Sequence, residues 1–521
     1  MGLQVGIPCS GLARASACKR LWLAAAGVAL FIATILCGHA VAPRRSGAHP
    51  RAAVDFIAFY TAGTFVREGR IHQLYDLGVV KQFQHELAGR QGQEVGGMYG
   101  PWWNPPFYAI VFAPLSRLSY TAALNLWLGI NLLCASASCW LLCRMLPEHA
   151  PARVWGLVPV LVGLSAPFIY AISHAQNTCT SLLLLTGMVG MWRTGKLFAA
   201  GLLCGLLFYK PQLAAVLAII LVLDRGWRAA AGLAITGAAL LLVNLVALPG
   251  TLTDYLHRLP ANLYLVQSQS VYPWDRHVTF QAFWRLLLQG RGPGETWRTV
   301  TGLAAAGSLI FAGLLVAVCR AGTARRDDGM AGYARPTYAK HENRLVARDR
   351  IISAAIAATP LVMPFYFDYD LLLLAVPAVL LAAERMRRPR GAAADRWLMA
   401  AWAVFYSWLM LNPDVADKTR VNFAVPLLAI VTGLMIRRAF DGRYFSSCRP
   451  CAPTRTIPFA SGSGRQGSVW RYSWAYSSCT NWRSAWETLR DSYRWVVTLS
   501  RCTRRRSSSA TAKRPESTRC T

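Results

Sequence analysis

The chain has 521 residues, 54% of them hydrophobic and 15% charged, and a formal net charge of +31. An ordinary soluble protein of this size carries more charge and fewer apolar residues, so that class is excluded. The basic excess does not point to nucleic acid, because the Arg residues stand between apolar runs, where membrane topology accounts for them.

In chain order, apolar runs predict spans at 21–42, 121–143, 154–172, 177–192, 197–209, 212–223, 229–248, 299–319, 351–366, 369–383, 395–411 and 420–436. Runs shorter than the ~20 residues of a perpendicular helix are expected to be tilted, re-entrant or buried among other helices. The short apolar stretch 105–115 is expected to be interfacial or re-entrant. The first run opens a series of spans and is not a removable signal ahead of a soluble body. Cys134, Cys139, Cys143 and Cys204 lie inside apolar runs, where Cys acts as a small hydrophobe, and no Cys spacing suggests a disulfide framework. The fold class is therefore all-α, a polytopic membrane helical bundle with about 10–13 transmembrane helices.

Lys and Arg set the orientation. The loops at Arg144 and Arg153, Arg193 and Lys196, Arg225 and Arg228, 320–350, 385–396, and Arg437 and Arg438 are basic and expected to be cytoplasmic. Those at 173–176, Lys210–Pro211, 367–370 and 412–418 are sparse in charge and expected to face out. The first span alone is ambiguous, with Arg14, Lys19 and Arg20 before it and Arg44, Arg45 and Arg51 after it. The domain plan is a cytoplasmic N-terminus at 1–20, a membrane domain at 21–436 and a basic tail at 444–521. Within the membrane domain, loops 43–104 and 249–298 are extracytoplasmic, rich in Trp, Tyr and Phe, and expected to carry short helices, while loop 320–350 is cytoplasmic. The tail, dense in Arg, Ser, Cys and Trp without any period, reads either as disordered chain or as the product of a shifted reading frame.

The polar residues that could carry chemistry gather on the outward side. Asp55, in VDFIAFYTAG, sits at an apolar boundary among Phe56, Phe59 and Tyr60. It suits a general base, or else a helix cap or an exposed loop acid. Asp368 and Asp370, in PFYFDYDLLLL, are wedged between two apolar runs, where an acid is paired, functional or a cap. Lys210, before Pro211 and Gln212, interrupts an apolar stretch with basic flanks, which predicts two half-helices meeting at an outward apex. A lysine there either meets a phosphate or snorkels to water. His174 and Gln176 lie in an outward turn, and Arg276 and His277 in the long loop, where an Arg–His pair beside aromatics could hold phosphate or a sugar hydroxyl. No Walker-type loop or dinucleotide fingerprint is present, and the lone Cys448-x-x-Cys451 lacks the second pair and the nearby His of a zinc site, so no cofactor and no metal is expected.

Taken together, the stretches DFIAFYTAG, LYD at 74–76, NPPFYAIVFAPLSRLSY at 104–120, AQ at 175–176, GLLFYKPQLA at 205–214 and PFYFDYDLLLL at 364–374 resemble glycosyltransferase family 87, a branch of the GT-C membrane glycosyltransferases. The resemblance departs at Ala175, where the family usually has Gly, and at Asn104-Pro-Pro, where it often has Tyr-Pro-Pro. It implies a GT-C-like fold, a polyprenyl-phosphate-sugar donor, typically polyprenyl-phosphate-mannose, and a lipid or glycan acceptor. It also implies inverting transfer on the outer face of the membrane, with Asp55 as the catalytic base. Lys210, Arg276 and His277 are then the donor-phosphate candidates, and Tyr60, His174, Gln176, Gln212, Asp368 and Asp370 the substrate-pocket candidates. The lipid bilayer is a partner and nucleic acid is not. A secondary transporter is the main rival, but no internal repeat is visible and the charges gather at one face. A polyprenyl-lipid-binding protein would use the same groove without needing Asp55.

The Arg bias predicts that a cysteine replacing Met330 is labelled by a membrane-impermeant maleimide only after the cells are opened. The measurement is labelling in intact against lysed cells, corrected for the native cysteines. Labelling of Met330→Cys in intact cells reverses the orientation.

Overall fold

The computed structural model describes residues 54–90, 100–327, 338–388 and 393–444. The predicted span 21–42, the N-terminus 1–20, the middle of the 320–350 loop and the tail beyond Tyr444 lie outside the described residues. Among the described residues every regular element is helical, apart from one isolated antiparallel bridge between His277 and Phe367.

Helices occupy every predicted span that falls on described residues. The loop 43–104 carries α1 (Val54–Arg67) and α2 (Leu77–Arg90), and a 3-10 turn at Pro106–Phe112 follows, buried along most of its length. Next come α3 (Tyr120–Arg144), α4 (Ala152–Gly163) and α5 (Ala166–Ser173). The last two are bent by 52°. The break is local chemistry: the Ser165 side chain caps a fresh N-terminus and Pro167 fits its first turn. Helix α6 (Thr178–Thr194) is followed by α7 (Leu197–Leu206) and α8 (Pro211–Arg225), the two half-helices that Lys210 and Pro211 predict. A 3-10 turn at Leu207–Tyr209 joins them, and Pro211 starts α8 where a missing N–H does no harm. Then come α9 (Trp227–Ala247), with α10 (Thr251–Gln269) and α11 (Phe280–Gln289) in the long loop, and α12 (Arg298–Asp327). The chain continues through α13 (Tyr338–Val362), a 3-10 turn at Asp368–Leu374, α14 (Ala375–Arg387), α15 (Ala393–Trp408), α16 (Asn412–Thr419) and α17 (Ala424–Tyr444).

Two features refine these expectations. Among the described residues, three helices, α3, α9 and the 298–320 part of α12, are by themselves long and apolar enough to cross a membrane, or four if the bent α4–α5 pair counts as one span. The other predicted spans are shorter or more charged, and several are core helices. The α13 segment Ile351–Leu361, for example, is enclosed by α8, α12, α14 and α17. The basic stretch 320–350 is also more helical than a loop, since α12 runs on to Asp327 and α13 starts at Tyr338. Arg, Lys and Ala favour helix, so an apolar-run reading stops before the helix does.

Small residues decide how close the helices come. A Cβ at Gly201 of α7 would lie 2.2 Å from the Ala229 carbonyl oxygen of α9, and one at Gly232 of α9 would lie 2.1 Å from the Phe198 carbonyl oxygen. Backbone therefore packs on backbone, as close helix pairs in membranes require. The far face of α9, with Leu241, Leu242, Leu245 and Val246, is exposed and suits lipid. A third contact of this kind seats α1, because a Cβ at Gly63 would lie 2.3 Å from the Phe112 carbonyl oxygen. Gly232→Ala should therefore destabilise the protein by about 1–3 kcal/mol. A lowered thermal midpoint in detergent checks this, with Gly237→Ala, which meets open space, as the control.

Candidate active site

Four successive turns of chain deliver the polar residues. At the end of α5 the Ala175 N–H donates to the Ile172 carbonyl (3.0 Å) and the Gln176 N–H to the Ala171 carbonyl (2.8 Å). This is the Schellman closure of a helix, and it needs a left-handed residue at Ala175, whose φ is 51°. Glycine is the usual residue at this position of a helix end, because it adopts the left-handed conformation without a Cβ penalty. A side-chain-bearing residue pays about 1–2 kcal/mol for that conformation. The fully buried Ala175 is held there by the Trp127 indole, whose Nε1–H donates to its carbonyl at 2.8 Å.

From this turn the side chains fan out to different segments. His174 Nδ1 lies 3.0 Å from the Tyr170 carbonyl, so it carries the proton, and Nε2 accepts from Arg276 Nη1 at 2.9 Å. Burial, and then the charge of Arg276, lowers the His174 pKa, which keeps the ring neutral. Gln176, buried, donates from Nε2 to Asp55 Oδ2 at 2.6 Å. Asn177 donates to the Tyr108 hydroxyl at 3.2 Å, and the Thr178 hydroxyl donates to Asp370 Oδ1 at 2.9 Å.

The two acids of the DYD turn each hold a cation from elsewhere in the chain. Arg276 forms a two-armed pair with Asp368, Nε to Oδ2 at 3.0 Å and Nη2 to Oδ1 at 2.9 Å. Lys210 Nζ donates to Asp370 Oδ1 at 2.9 Å, with side-chain exposures of 6% and 2%. Tyr369 lies between, with Lys210 5.3 Å and Arg276 5.7 Å from its ring centroid, an arrangement that adds cation–π attraction.

The candidates read from the sequence are thus sorted. Asp55, His174, Gln176, Lys210, Arg276, Asp368 and Asp370 are linked through one network around the turn at 174–178. Asp55 stands in the first turn of α1, where the helix dipole favours a carboxylate, and it is half-buried. Lys210 does not snorkel, because it is 5% exposed and neutralised by Asp370. His277 is 1% exposed, its ring stacked on Tyr272 and 3.9 Å from the Phe367 ring centroid. Burial, then Arg276, lowers its pKa to about 3, so it is neutral. In this arrangement neither Lys210 nor His277 presents an exposed charge to a phosphate. Tyr60 donates its hydroxyl to the Leu118 carbonyl at 2.8 Å and so fastens α1 to the 3-10 turn Leu115–Arg117. Gln212 lies half-buried in the first turn of α8. Sequence reasoning missed Trp127, Tyr108, Asn177 and Thr178. A run of four polar residues out of five in HAQNT, between two apolar helices, was the available signal.

Residues 102–339, a little under half of the chain, match the family model described as glycosyltransferase family 87, and the match points to a membrane glycosyltransferase. His174, Gln176, Lys210 and Arg276 fall inside the match, whereas Asp55 precedes it and Asp368 and Asp370 follow it. No curated protein and no solved structure matches the chain.

Two stability outcomes follow. Lys210→Met strands the Asp370 charge and should destabilise by about 3–5 kcal/mol, while Lys210→Met with Asp370→Leu should recover most of that loss. The thermal midpoints of the two variants check it, and equal loss in both removes the buried pair as the cause. Ala175→Gly should instead raise stability by about 1 kcal/mol through release of the left-handed strain.

Proposed function

We propose that the chain is a hexosyltransferase. It moves a sugar, mannose by family resemblance, from a polyprenyl-phosphate donor to a hydroxyl of a lipid or glycan acceptor on the extracytoplasmic face, with inversion at the anomeric carbon. The observation that carries this reading is a half-buried carboxylate and a partly open guanidinium in one cluster. Asp55 has a buried amide on one oxygen, and the Arg276 side chain keeps 23% of its exposure.

In this reaction Asp55 removes the proton of the acceptor hydroxyl. That oxygen bonds to the anomeric carbon as the carbon–phosphate-oxygen bond breaks on the opposite face. The leaving lipid phosphate takes the electron pair, and positive charge stabilises it. Phosphate leaves readily, so one base is enough and no acid partner is required. Arg276 is the cation we assign to the phosphate. Its donors occupy Asp368 and His174, so the phosphate binds by exchanging with one of these contacts. Lys210 stays with Asp370 and holds the turn. The outward placement rests on the Arg bias of the loops.

Asp55→Asn keeps the shape and loses the proton acceptor, so transfer should fall ~10²–10⁴-fold. Arg276→Gln should raise the apparent KM for donor and lower kcat. Transfer of label from polyprenyl-phosphate-[14C]mannose by purified, quantified variants measures both. Near-normal turnover by Asp55→Asn rejects the assignment of the base.

A further inference from the structure

We infer that Gln176 is the positioning residue of the base, fixing one oxygen of Asp55 and leaving the other to face the acceptor hydroxyl. The inference rests on Asp55 being the base. Its support is independent of the motif and comes from how the amide is held. Gln176 occupies the last position of the Schellman turn, its backbone N–H bound to the Ala171 carbonyl. The preceding residue is locked in a left-handed conformation by the Trp127 indole. The amide is buried, and its Nε2 lies 2.6 Å from Asp55 Oδ2. Among the described residues no protein group bonds to Asp55 Oδ1. A carboxylate with one oxygen fixed cannot rotate away from its substrate, and a base in general catalysis must lie within hydrogen-bond reach of the proton it takes. The carboxylate sits on α1, and the Gly63–Phe112 contact sets that helix's depth. Base and amide therefore come from two separately fixed elements.

The amide has a second effect. A donor bonded to a carboxylate favours the ionised form, so removing the donor makes the carboxyl easier to protonate. Among the described residues, the titratable groups that sense the charge of Asp55 are the Tyr120 hydroxyl from α3, neutral His174, the ion-paired Arg276, and Tyr369 from the DYD turn.

The test is the pH dependence of label transfer from polyprenyl-phosphate-[14C]mannose into the lipid and glycan fraction of membranes carrying the full chain. Gln176→Met keeps the length and removes the donor. It should move the acid limb of kcat/KM up by about one pH unit and lower kcat about tenfold. Gln176→Glu places a second carboxylate against the first and should move the limb further up, because two adjacent carboxylates resist ionising together. The position of the limb does not depend on how much protein folds, so partial misfolding leaves the test intact. A limb unmoved in both variants overturns the inference and makes Gln176 a packing residue. If Asp55→Asn is inactive while the Gln176 profiles match wild type, only this inference fails. If Asp55→Asn transfers normally, the base assignment fails first and the inference falls with it.

Discussion

A charge that cannot reach water must have its counter-charge beside it, and in this protein that constraint assembles the site. Asp370 is 2% exposed and Asp368 is 7% exposed, depths at which a lone carboxylate is not tolerated. Each therefore draws in a cation from a distant part of the chain, Lys210 from the break between α7 and α8 and Arg276 from the loop before α11. The DYD turn becomes a clasp between two otherwise separate parts of the bundle. The Lys210 pair is closed on all sides. The Arg276 pair stays partly open, so of the two it is the one a ligand phosphate could enter.

The turn at 174–178 works in the opposite sense, from one short segment outward. Its left-handed residue lets α5 stop and α6 start within a few residues, and each polar side chain then points at a different element. Position 175 explains how the site tolerates alanine where glycine is easier: the strain is offset by a buried indole hydrogen bond and by the packing around a fully buried methyl. The same economy shows at Gly63, where the missing side chain lets α1 lie against the Phe112 backbone and bring Asp55 within reach of Gln176.

The far end of α6 carries a second set of paired charges, about 24 Å away by helix rise. Arg193 pairs with Asp349, Arg350 and Arg438 share Glu384, and Arg385 and Arg438 reach Asp395. These contacts tie α6, α13, α14, α15 and α17 together at that end, so the bundle is fastened by buried ion pairs at both ends and by small-residue packing between them. The arginines that fixed the expected orientation are thus structural as well. They serve as counter-ions for the acids of neighbouring helices.

Several features follow from sequence alone. Apolar runs of spanning length dictate helices, because backbone polar groups in an apolar medium must be satisfied within the segment, and helices do occupy the described runs. The break at Lys210–Pro211 follows from the missing N–H of proline. The residues of the site were legible as acids, amides and cations stranded in apolar surroundings, where only pairing or function keeps them. Which charge pairs with which was not legible. The partners stand 160 positions apart for Lys210 and Asp370, 121 for Gln176 and Asp55, and 92 for Arg276 and Asp368. No local spacing encodes such distances. Nor could the sequence say that His277 is enclosed by Tyr272 and Phe367 while Arg276, one residue earlier, stays partly open. The side chains of neighbouring residues leave the chain in different directions, and only the packing of distant elements decides which of them meets water.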